Sequence, residues 1–161
     1  MPDTHINAFI NAFAQFEQRV IWKFEGELPG ISDNILVRNW LPQQDILAHP
    51  NVKLFIGHGG LLGLQEAMYH AKPVIILPIF GDQAKNAKSF KEKGVALALE
   101  WSAISEDTIV EAIKEILNNP KYKSSASAVS KIIRDQPETP VERAVFWTEY
   151  VIRHKGAPHL R

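Results

Sequence analysis

The chain has 161 residues, of which 45% are hydrophobic and 22% charged, a composition typical of a globular domain with a sizeable core. Its 18 basic and 18 acidic residues give a formal net charge of zero, so bulk electrostatics predicts neither nucleic-acid binding nor attachment to a membrane surface. It has no cysteine, no apolar run of membrane-spanning length and no signal peptide at its start, which excludes disulfides and thiolate metal sites and predicts a soluble chain.

Helical and strand-like segments alternate along the chain. Apolar residues recur at helical spacing after Asp3 and Thr4, either of which can cap a first helix at residues 4–18. Short apolar runs predict strands at residues 19–24, 35–37, 52–56, 74–77 and 95–99. Start and stop signals, such as Ser105, Pro120 and Gly94, predict further helices at residues 44–48, 61–71, 83–93, 106–118, 120–134 and 140–155. This alternation predicts right-handed βαβ units and an α/β fold with a doubly wound parallel sheet, in one domain over residues 1–161.

Two of the predicted strands end in turns rich in glycine and polar residues. Strand 52–56 leads into Gly57-His58-Gly59-Gly60-Leu61-Leu62-Gly63, and strand 74–77 leads through Pro78 to Gly81-Asp82-Gln83. Ligands of open parallel sheets bind beyond the carboxyl ends of the strands. The glycines let a phosphate approach the backbone, and the next helix presents free N–H groups to it. We therefore expect a phosphate-containing ligand at this edge.

The stretch from Trp40 to Gln83 resembles the nucleotide-sugar signature of the UDP-glycosyltransferases. That family carries Trp-x-Pro-Gln, then His-x-Gly-x-x-x-x-x-Glu, then Asp-Gln. Here the three parts are Trp40-Leu41-Pro42-Gln43, His58 to Glu66, and Asp82-Gln83, in that order and with compatible spacing. Similarity at Asp135-Gln136-Pro137, at Ala144-Val145-Phe146-Trp147 and in the basic tail extends the resemblance over nearly the whole chain. The His-Gly-Gly-Leu-Leu sequence looks more like insect than vertebrate members.

The resemblance implies the Rossmann-like C-terminal lobe of the two-lobed GT-B glycosyltransferase fold, with the helix at 140–155 reaching back toward an N-terminal, acceptor-binding lobe. It implies a UDP-sugar-binding domain of an enzyme that transfers glucose or glucuronate, with inversion and without a metal or other cofactor, to small lipophilic acceptors. The chain would then be a fragment of a protein anchored on the lumenal side of the endoplasmic reticulum membrane by a helix outside it. The oligomeric state stays open, with a homodimer as one option.

Within the resemblance, Trp40 is expected to stack on uracil, a contact worth roughly 1–3 kcal/mol by analogy with other base–aromatic stacks. Gln43 can pair with the polar edge of that ring. The diphosphate is expected at His58 and the backbone of Gly59, Gly60, Leu61, Leu62 and Gly63. Leu62 departs from the pattern, because many members place a polar residue there that donates to phosphate.

The carboxylate of Glu66 is expected to accept hydrogen bonds from both ribose hydroxyls, and Asp82 and Gln83 are expected to contact the sugar. His58 is not expected to be the general base. The resemblance places the deprotonating histidine and its aspartate partner in the other lobe, so this chain alone is predicted to be inactive, with no catalytic residue of its own.

Other polar residues favour structural roles. His49 and His70 are expected to be structural, and Asp135 and Gln136 are expected to stabilise a turn. Arg153, His154, Lys155 and Arg161 form a basic tail beside the negative end of the last helix.

Two alternatives remain open from the residues. One is an NAD(P)-binding domain of an oxidoreductase, although G-x-G-x-x-G fails because Leu62 occupies the sixth position counted from Gly57. The other is a binding or dimerisation module without catalytic function. Titration of UDP against NAD separates these possibilities.

Overall fold

Parallel strands and helices alternate in the computed structural model, which describes residues 1–160. The strands are β1 (Val20–Lys23), β2 (Ile35–Arg38), β3 (Phe55–Gly57), β4 (Val74–Ile76) and β5 (Ala96–Ala98). The helices are α1 (Asp3–Ala14), α2 (Gln43–Ala48), α3 (Leu61–Tyr69), α4 (Gln83–Glu92), α5 (Glu106–Asn118), α6 (Pro120–Arg134) and α7 (Pro140–Arg153). Short 3₁₀ turns lie at Trp101–Ala103 and Pro158–Leu160. Arg161 of the predicted basic tail lies outside the described residues.

All strand pairs in the described part of the chain are parallel, as predicted. β1 pairs with β2, and β3, β4 and β5 form a second sheet with β4 in the centre. The prediction of parallel strands is thus confirmed, but backbone hydrogen bonds divide them into sheets of two and three strands. In the larger sheet Gly57 lies opposite Ile76, which in turn lies opposite Ala98, so these strands end at one edge.

The central strand β4 is covered by helices on both faces. Ile75 belongs to an apolar cluster with residues of α1 and α5, including Phe13 and Ile113. Its neighbours Val74 and Ile76 belong to a second cluster with residues of α3, α4 and α6. Successive strand residues point to opposite faces, so this division confirms the doubly wound arrangement. Full burial of each large aliphatic side chain stabilises such a core by about 1.5–3 kcal/mol.

Several predicted helix boundaries are confirmed. Ser105 caps α5 by accepting from the Thr108 N–H, and Pro120 opens α6 after the Asn119 cap. Gly94 follows α4 with φ of +67°, the left-handed conformation that a glycine adopts at little cost. These signals act locally, which is why the sequence alone located them.

Most of the other elements are one or two residues shorter than predicted. The larger losses, at the end of α1 and the start of β3, arise because side chains from elsewhere bind backbone carbonyl groups there. The first helix ends at Ala14 because the Asn34 amide donates to the carbonyls of Phe13, Phe16 and Gln18 at 2.9–3.0 Å. Its N-cap is Pro2, so the predicted caps, Asp3 and Thr4, are wrong. Strand β3 begins only at Phe55; the Val52 carbonyl accepts from the buried amine of Lys72 at 2.9 Å.

The α-helices within residues 1–160 are 6 to 15 residues long. None of them combines the length and apolar character that a bilayer crossing requires.

Candidate functional site

The predicted site residues follow the carboxyl ends of three parallel strands, in the loops and on the helices that come next. β3 and β4 are neighbours, whereas β2 pairs with β1 in the other sheet. Trp40 follows β2, His58 to Gly60 follow β3, and Asp82 follows β4. Side-chain contacts join these loops into two groups: a carboxylate group around Glu66, and a loop group around Gly59. This edge of the sheet is where ligands bind in open α/β folds.

The carboxylate group consists of Glu66 on α3 and two glutamines at the start of α2. The Gln43 side-chain amide donates to Glu66 Oε2 at 2.5 Å, and the Gln44 amide donates to Glu66 Oε1 at 3.1 Å. Both carboxylate oxygens therefore have a fixed direction. Each oxygen can accept a second hydrogen bond, so Glu66 keeps the capacity to accept from two hydroxyl groups of a diol.

Gln43 has a partner that was not expected for it. One N–H of its amide donates to Glu66, so its carbonyl oxygen and its second N–H are the groups left to meet the edge of a base. Its nitrogen also lies 3.6 Å from where a Cβ on Gly63 would stand, which is an ordinary van der Waals contact. Uracil recognition by Gln43 stays a prediction, whereas its contact with Glu66 is a feature of the structure.

Trp40, three residues before Gln43 in the chain, offers an open aromatic face. Its side chain is 75% exposed, and no other ring of residues 1–160 stacks on it. An exposed indole costs hydrophobic free energy unless it meets a partner. The arrangement suits a flat ligand ring.

The loop group depends on two glycines with different constraints. Gly59 has φ of +92°, and a Cβ there would lie 2.7 Å from Cγ2 of Ile76, inside contact distance. A Cβ on Gly60 would lie 2.6 Å from Nε2 of the His58 imidazole. His58 therefore lies directly over the Gly60 backbone, and larger residues at either glycine would displace the histidine or the sheet.

Helix α3 begins immediately after these glycines and has no side-chain cap. The N–H groups of Leu61, Leu62 and Gly63 are in its first turn, where a helix leaves N–H groups unpaired and carries positive partial charge. The Leu62 side chain is 76% exposed and cannot donate, so only its backbone N–H can serve an anion. The turn is a suitable place for a phosphate.

Asp82 and Gln83 occupy very different surroundings. Asp82 is exposed and accepts from the Asn86 amide at 2.8 Å. Gln83 is only 4% exposed, and its Oε1 accepts from the backbone N–H groups of Ile79 (2.8 Å) and Phe80 (3.1 Å). The carbonyl of Gln83 thus shapes the loop after β4, which leaves its amide nitrogen as the group able to contact a sugar.

Two residues of this edge escaped the sequence analysis. Gln44 contacts Glu66, and the Asn86 amide donates to both Asp82 and the Gly59 carbonyl. The spacing of four residues between Asp82 and Asn86 on a predicted helix was the available signal for Asn86. For Gln44 there was no such signal, because its partner Glu66 lies 22 residues away in the sequence.

The histidines outside this edge have structural surroundings. His49 Nδ1 accepts from the Asn51 N–H at 3.2 Å. Burial lowers the pKa of His70, the positive charges of Arg134 and Lys72 lower it further, and Glu66 opposes them. In the tail, the Tyr150 hydroxyl and His159 Nε2 are 2.6 Å apart, and His154 packs against the Tyr150 ring. Residues 1–160 contain no group of three or more histidine, aspartate or glutamate side chains able to hold a metal ion.

Solved structures with the same fold define the class of this lobe. The glycosyltransferase of kitacinnamycin superimposes with a TM-score of 0.74 and 25% identity, over 81% of this chain and 35% of that one. A UDP-glucose: anthocyanidin 3-O-glucosyltransferase in complex with UDP superimposes with a TM-score of 0.76 and 22% identity, over 85% of this chain and 34% of that one. The fold is that of one lobe of a GT-B glycosyltransferase.

Sequence comparison identifies the family. The family model "UDP-glucoronosyl and UDP-glucosyl transferase" matches residues 1–161, and the chain belongs to that family. It is 55% identical to UDP-glycosyltransferase UGT5 of Dactylopius coccus over 99% of this chain, and 44% identical to UDP-glucuronosyltransferase 2B14 of Oryctolagus cuniculus over all of it. It spans 31% of the length of each of these relatives. The family match does not favour the NAD(P)-binding alternative.

Proposed function

We propose that this chain is the donor-binding lobe of a UDP-glycosyltransferase that transfers glucose or glucuronate to small lipophilic acceptors. The observation that carries the proposal is the Glu66 carboxylate, which two amides hold beside the uncapped start of α3. A diol acceptor and an anion site are thereby adjacent at one sheet edge. A nucleoside diphosphate carries both a diol, on its ribose, and an anionic diphosphate.

Each part of the donor then meets a matching group. Uracil stacks on Trp40, the ribose hydroxyls donate to Glu66, and the diphosphate lies against the Gly59–Gly63 backbone with His58 donating to it. Negative charge develops on the departing UDP as the bond to the sugar breaks. The start of α3 and the His58 N–H stabilise that charge, which is the kind of preorganised electrostatic contact that lowers a reaction barrier.

The sugar extends toward Asp82 and Gln83. The Asp82 carboxylate accepts from a sugar hydroxyl, and the Gln83 amide nitrogen donates to another. These contacts orient the anomeric carbon for attack from the opposite face, and the attacking acceptor and its general base belong to a second lobe. No metal ion has a role in this proposal.

Helix α7 supports the presence of that second lobe. It has no buried side chain, and its apolar residues Val145, Phe146, Trp147 and Ile152 are each 47–71% exposed. Relatives are about three times longer than this chain. We propose that the acceptor-binding lobe covers α7, so α7 amides should exchange more slowly in the two-lobed protein. Dimerisation and the endoplasmic reticulum location stay predictions.

Glu66→Ala tests the donor site. Loss of a hydrogen-bond partner to a buried polar group costs roughly 1–3 kcal/mol, so wild type should prefer UDP over 2′-deoxy-UDP by roughly fivefold to a hundredfold. Glu66→Ala should weaken UDP binding and largely abolish this preference. NMR titration measures both affinities and should shift the Trp40 indole and the amides of Gly59–Gly63.

Two further variants make the result specific. His58→Ala should weaken both ligands alike, because it acts on phosphate. Glu111→Ala, an exposed glutamate on α5, should leave both affinities unchanged. A Glu66→Ala protein that loses equal affinity for both ligands, or a wild type that binds NAD in preference to UDP, would contradict the proposed function.

A further inference from the structure

Asn86 joins the two loops that the proposed function assigns to the diphosphate and to the sugar. Its side-chain amide donates to the Gly59 carbonyl at 3.0 Å and to Asp82 Oδ2 at 2.8 Å. A backbone hydrogen bond also joins these two residues: the Asn86 N–H donates to the Asp82 carbonyl at 2.9 Å. Both amide hydrogens are therefore used, one in each loop.

The bond to Gly59 has a consequence for the phosphate loop. A trans peptide unit is planar, with its C=O and N–H antiparallel. Holding the Gly59 carbonyl toward Asn86 therefore directs the Gly60 N–H to the opposite side. The Gly60 N–H forms no hydrogen bond with any described residue. Gly59 has a positive φ, and a glycine has few steric limits on its backbone. Without the bond to Asn86, the peptide between Gly59 and Gly60 could therefore turn more freely.

The bond to Asp82 has a consequence for the sugar. It occupies Oδ2 and leaves Oδ1 as an acceptor with a defined direction. Asn86 donates to two acceptors, the Gly59 carbonyl and the Asp82 carboxylate. Both bonds need an N–H group, and the asparagine amide has two on one nitrogen. An aspartate in the same place would face both acceptors with its own negative charge.

We propose that Asn86 is a positioning residue of the donor site, which sets the direction of the Gly60 N–H and of the Asp82 carboxylate together. The inference rests on the proposed function. It assigns no contact between Asn86 and the donor: the amide acts through Gly59 and Asp82. Its loss should therefore weaken recognition of the diphosphate and of the sugar, and spare recognition of the nucleoside.

A series of three ligands, uridine, UDP and UDP-glucose, separates these contributions in calorimetric or NMR titrations of the chain. Asn86→Ala should leave uridine affinity unchanged. It should reduce two gains in affinity, the phosphate gain from uridine to UDP and the sugar gain from UDP to UDP-glucose. Each should fall by about three- to tenfold, the effect of losing one ordinary hydrogen bond. Asn118→Ala, an exposed asparagine at the end of α5, is the matched control and should behave as wild type.

Two further variants exclude a merely structural effect. In an Asp82→Ala background, Asn86→Ala should cause no further loss of the sugar gain but should still reduce the phosphate gain. Asn86→Asp should lose both gains in affinity at pH 8 and recover part of them relative to wild type near pH 5.5, where a protonated carboxyl can again donate. Comparison with wild type at each pH removes the pH dependence that both proteins share.

The outcomes are distinguishable. If wild type shows both gains and Asn86→Ala keeps them, or weakens uridine as much as UDP-glucose, Asn86 does not position the site although the donor site stands. If wild type binds neither uridine nor UDP, the proposed function fails and this inference fails with it. If Asn86→Ala unfolds, the absence of pH-dependent recovery in Asn86→Asp overturns the proposal by itself.

Discussion

At the residue scale, His70 is a titratable residue at the C-terminal end of α3. It follows α3, one helical turn after Glu66, and burial together with Arg134 and Lys72 lowers its pKa below the ordinary value of 6.5. On acidification below pH 6.5 the unfolded chain therefore takes up the proton first. Stability contributed by neutral His70 is complete above that pH and is lost as pH falls toward the folded-state pKa.

His70→Asn should remove this dependence, because asparagine does not titrate and is tolerated at a helix end. We expect the free energy of unfolding of wild type to fall more steeply than that of His70→Asn between pH 6.5 and 5. Urea unfolding at a series of pH values measures both slopes. The two proteins should run parallel between pH 7.5 and 8.5, and parallel slopes in the acidic range as well would refute the prediction.

At the element scale, a capping box formed by Thr139 and Glu142 stabilises the N-terminal end of α7. The Thr139 hydroxyl accepts from the Glu142 N–H at 3.2 Å, and the Glu142 carboxylate accepts from the Thr139 N–H at 2.7 Å. The bonds that the Thr139 N–H and the Thr139 hydroxyl donate to this carboxylate lower the pKa of Glu142. Because α7 has no buried side chain, the cap has little tertiary packing to support it.

Thr139→Ala should therefore destabilise α7 alone. Loss of a threonine N-cap costs about 1 kcal/mol, so amide exchange in α7 should accelerate by about fivefold while the midpoint of global unfolding stays unchanged. Hydrogen exchange followed by NMR resolves the helix. Thr139→Ser should keep the cap, and Thr148→Ala, an exposed change inside the same helix, should not accelerate exchange. Equal acceleration in both alanine variants would show that the cap is not the cause.

At the scale of the whole molecule, the chain spans 31% of the length of the relatives named above. In the proposed function, the acceptor pocket and the general base belong to the second lobe. We predict that the chain alone forms no glycoside from UDP-glucose or UDP-glucuronate and a phenolic acceptor. General-base assistance alone typically contributes 10²–10⁴-fold, and the acceptor pocket is a further requirement.

Mass spectrometry of the incubated mixture tests this prediction, with a full-length family member as the positive control. The same sample should still bind UDP, which separates loss of chemistry from loss of folding. Glycoside formed at a rate near that of the full-length control would show that the acceptor lobe is dispensable.

The sequence by itself determined the order of the elements and located the glycine-rich and polar turns after β3 and β4; the ligand roles of the residues there stay predictions. Ser105, Pro120 and Gly94 act on their immediate neighbours, so their positions specify helix ends without knowledge of the fold. Alternation of strands and helices determined the parallel arrangement with helices on both faces, because each helix connects two strands by a right-handed crossover.

Only the tertiary structure decided how the site side chains are paired. Gln43 lies 23 residues from its partner Glu66, and Asn86 lies 27 residues from Gly59. Such pairs form because β3 and β4 are neighbours and α2 and α3 start at one sheet edge, which no local periodicity encodes. The same separation explains why Asn34 ends α1 early: its amide donates to carbonyls of Phe13, Phe16 and Gln18, which the fold, and not the neighbouring residues, brings within hydrogen-bond reach.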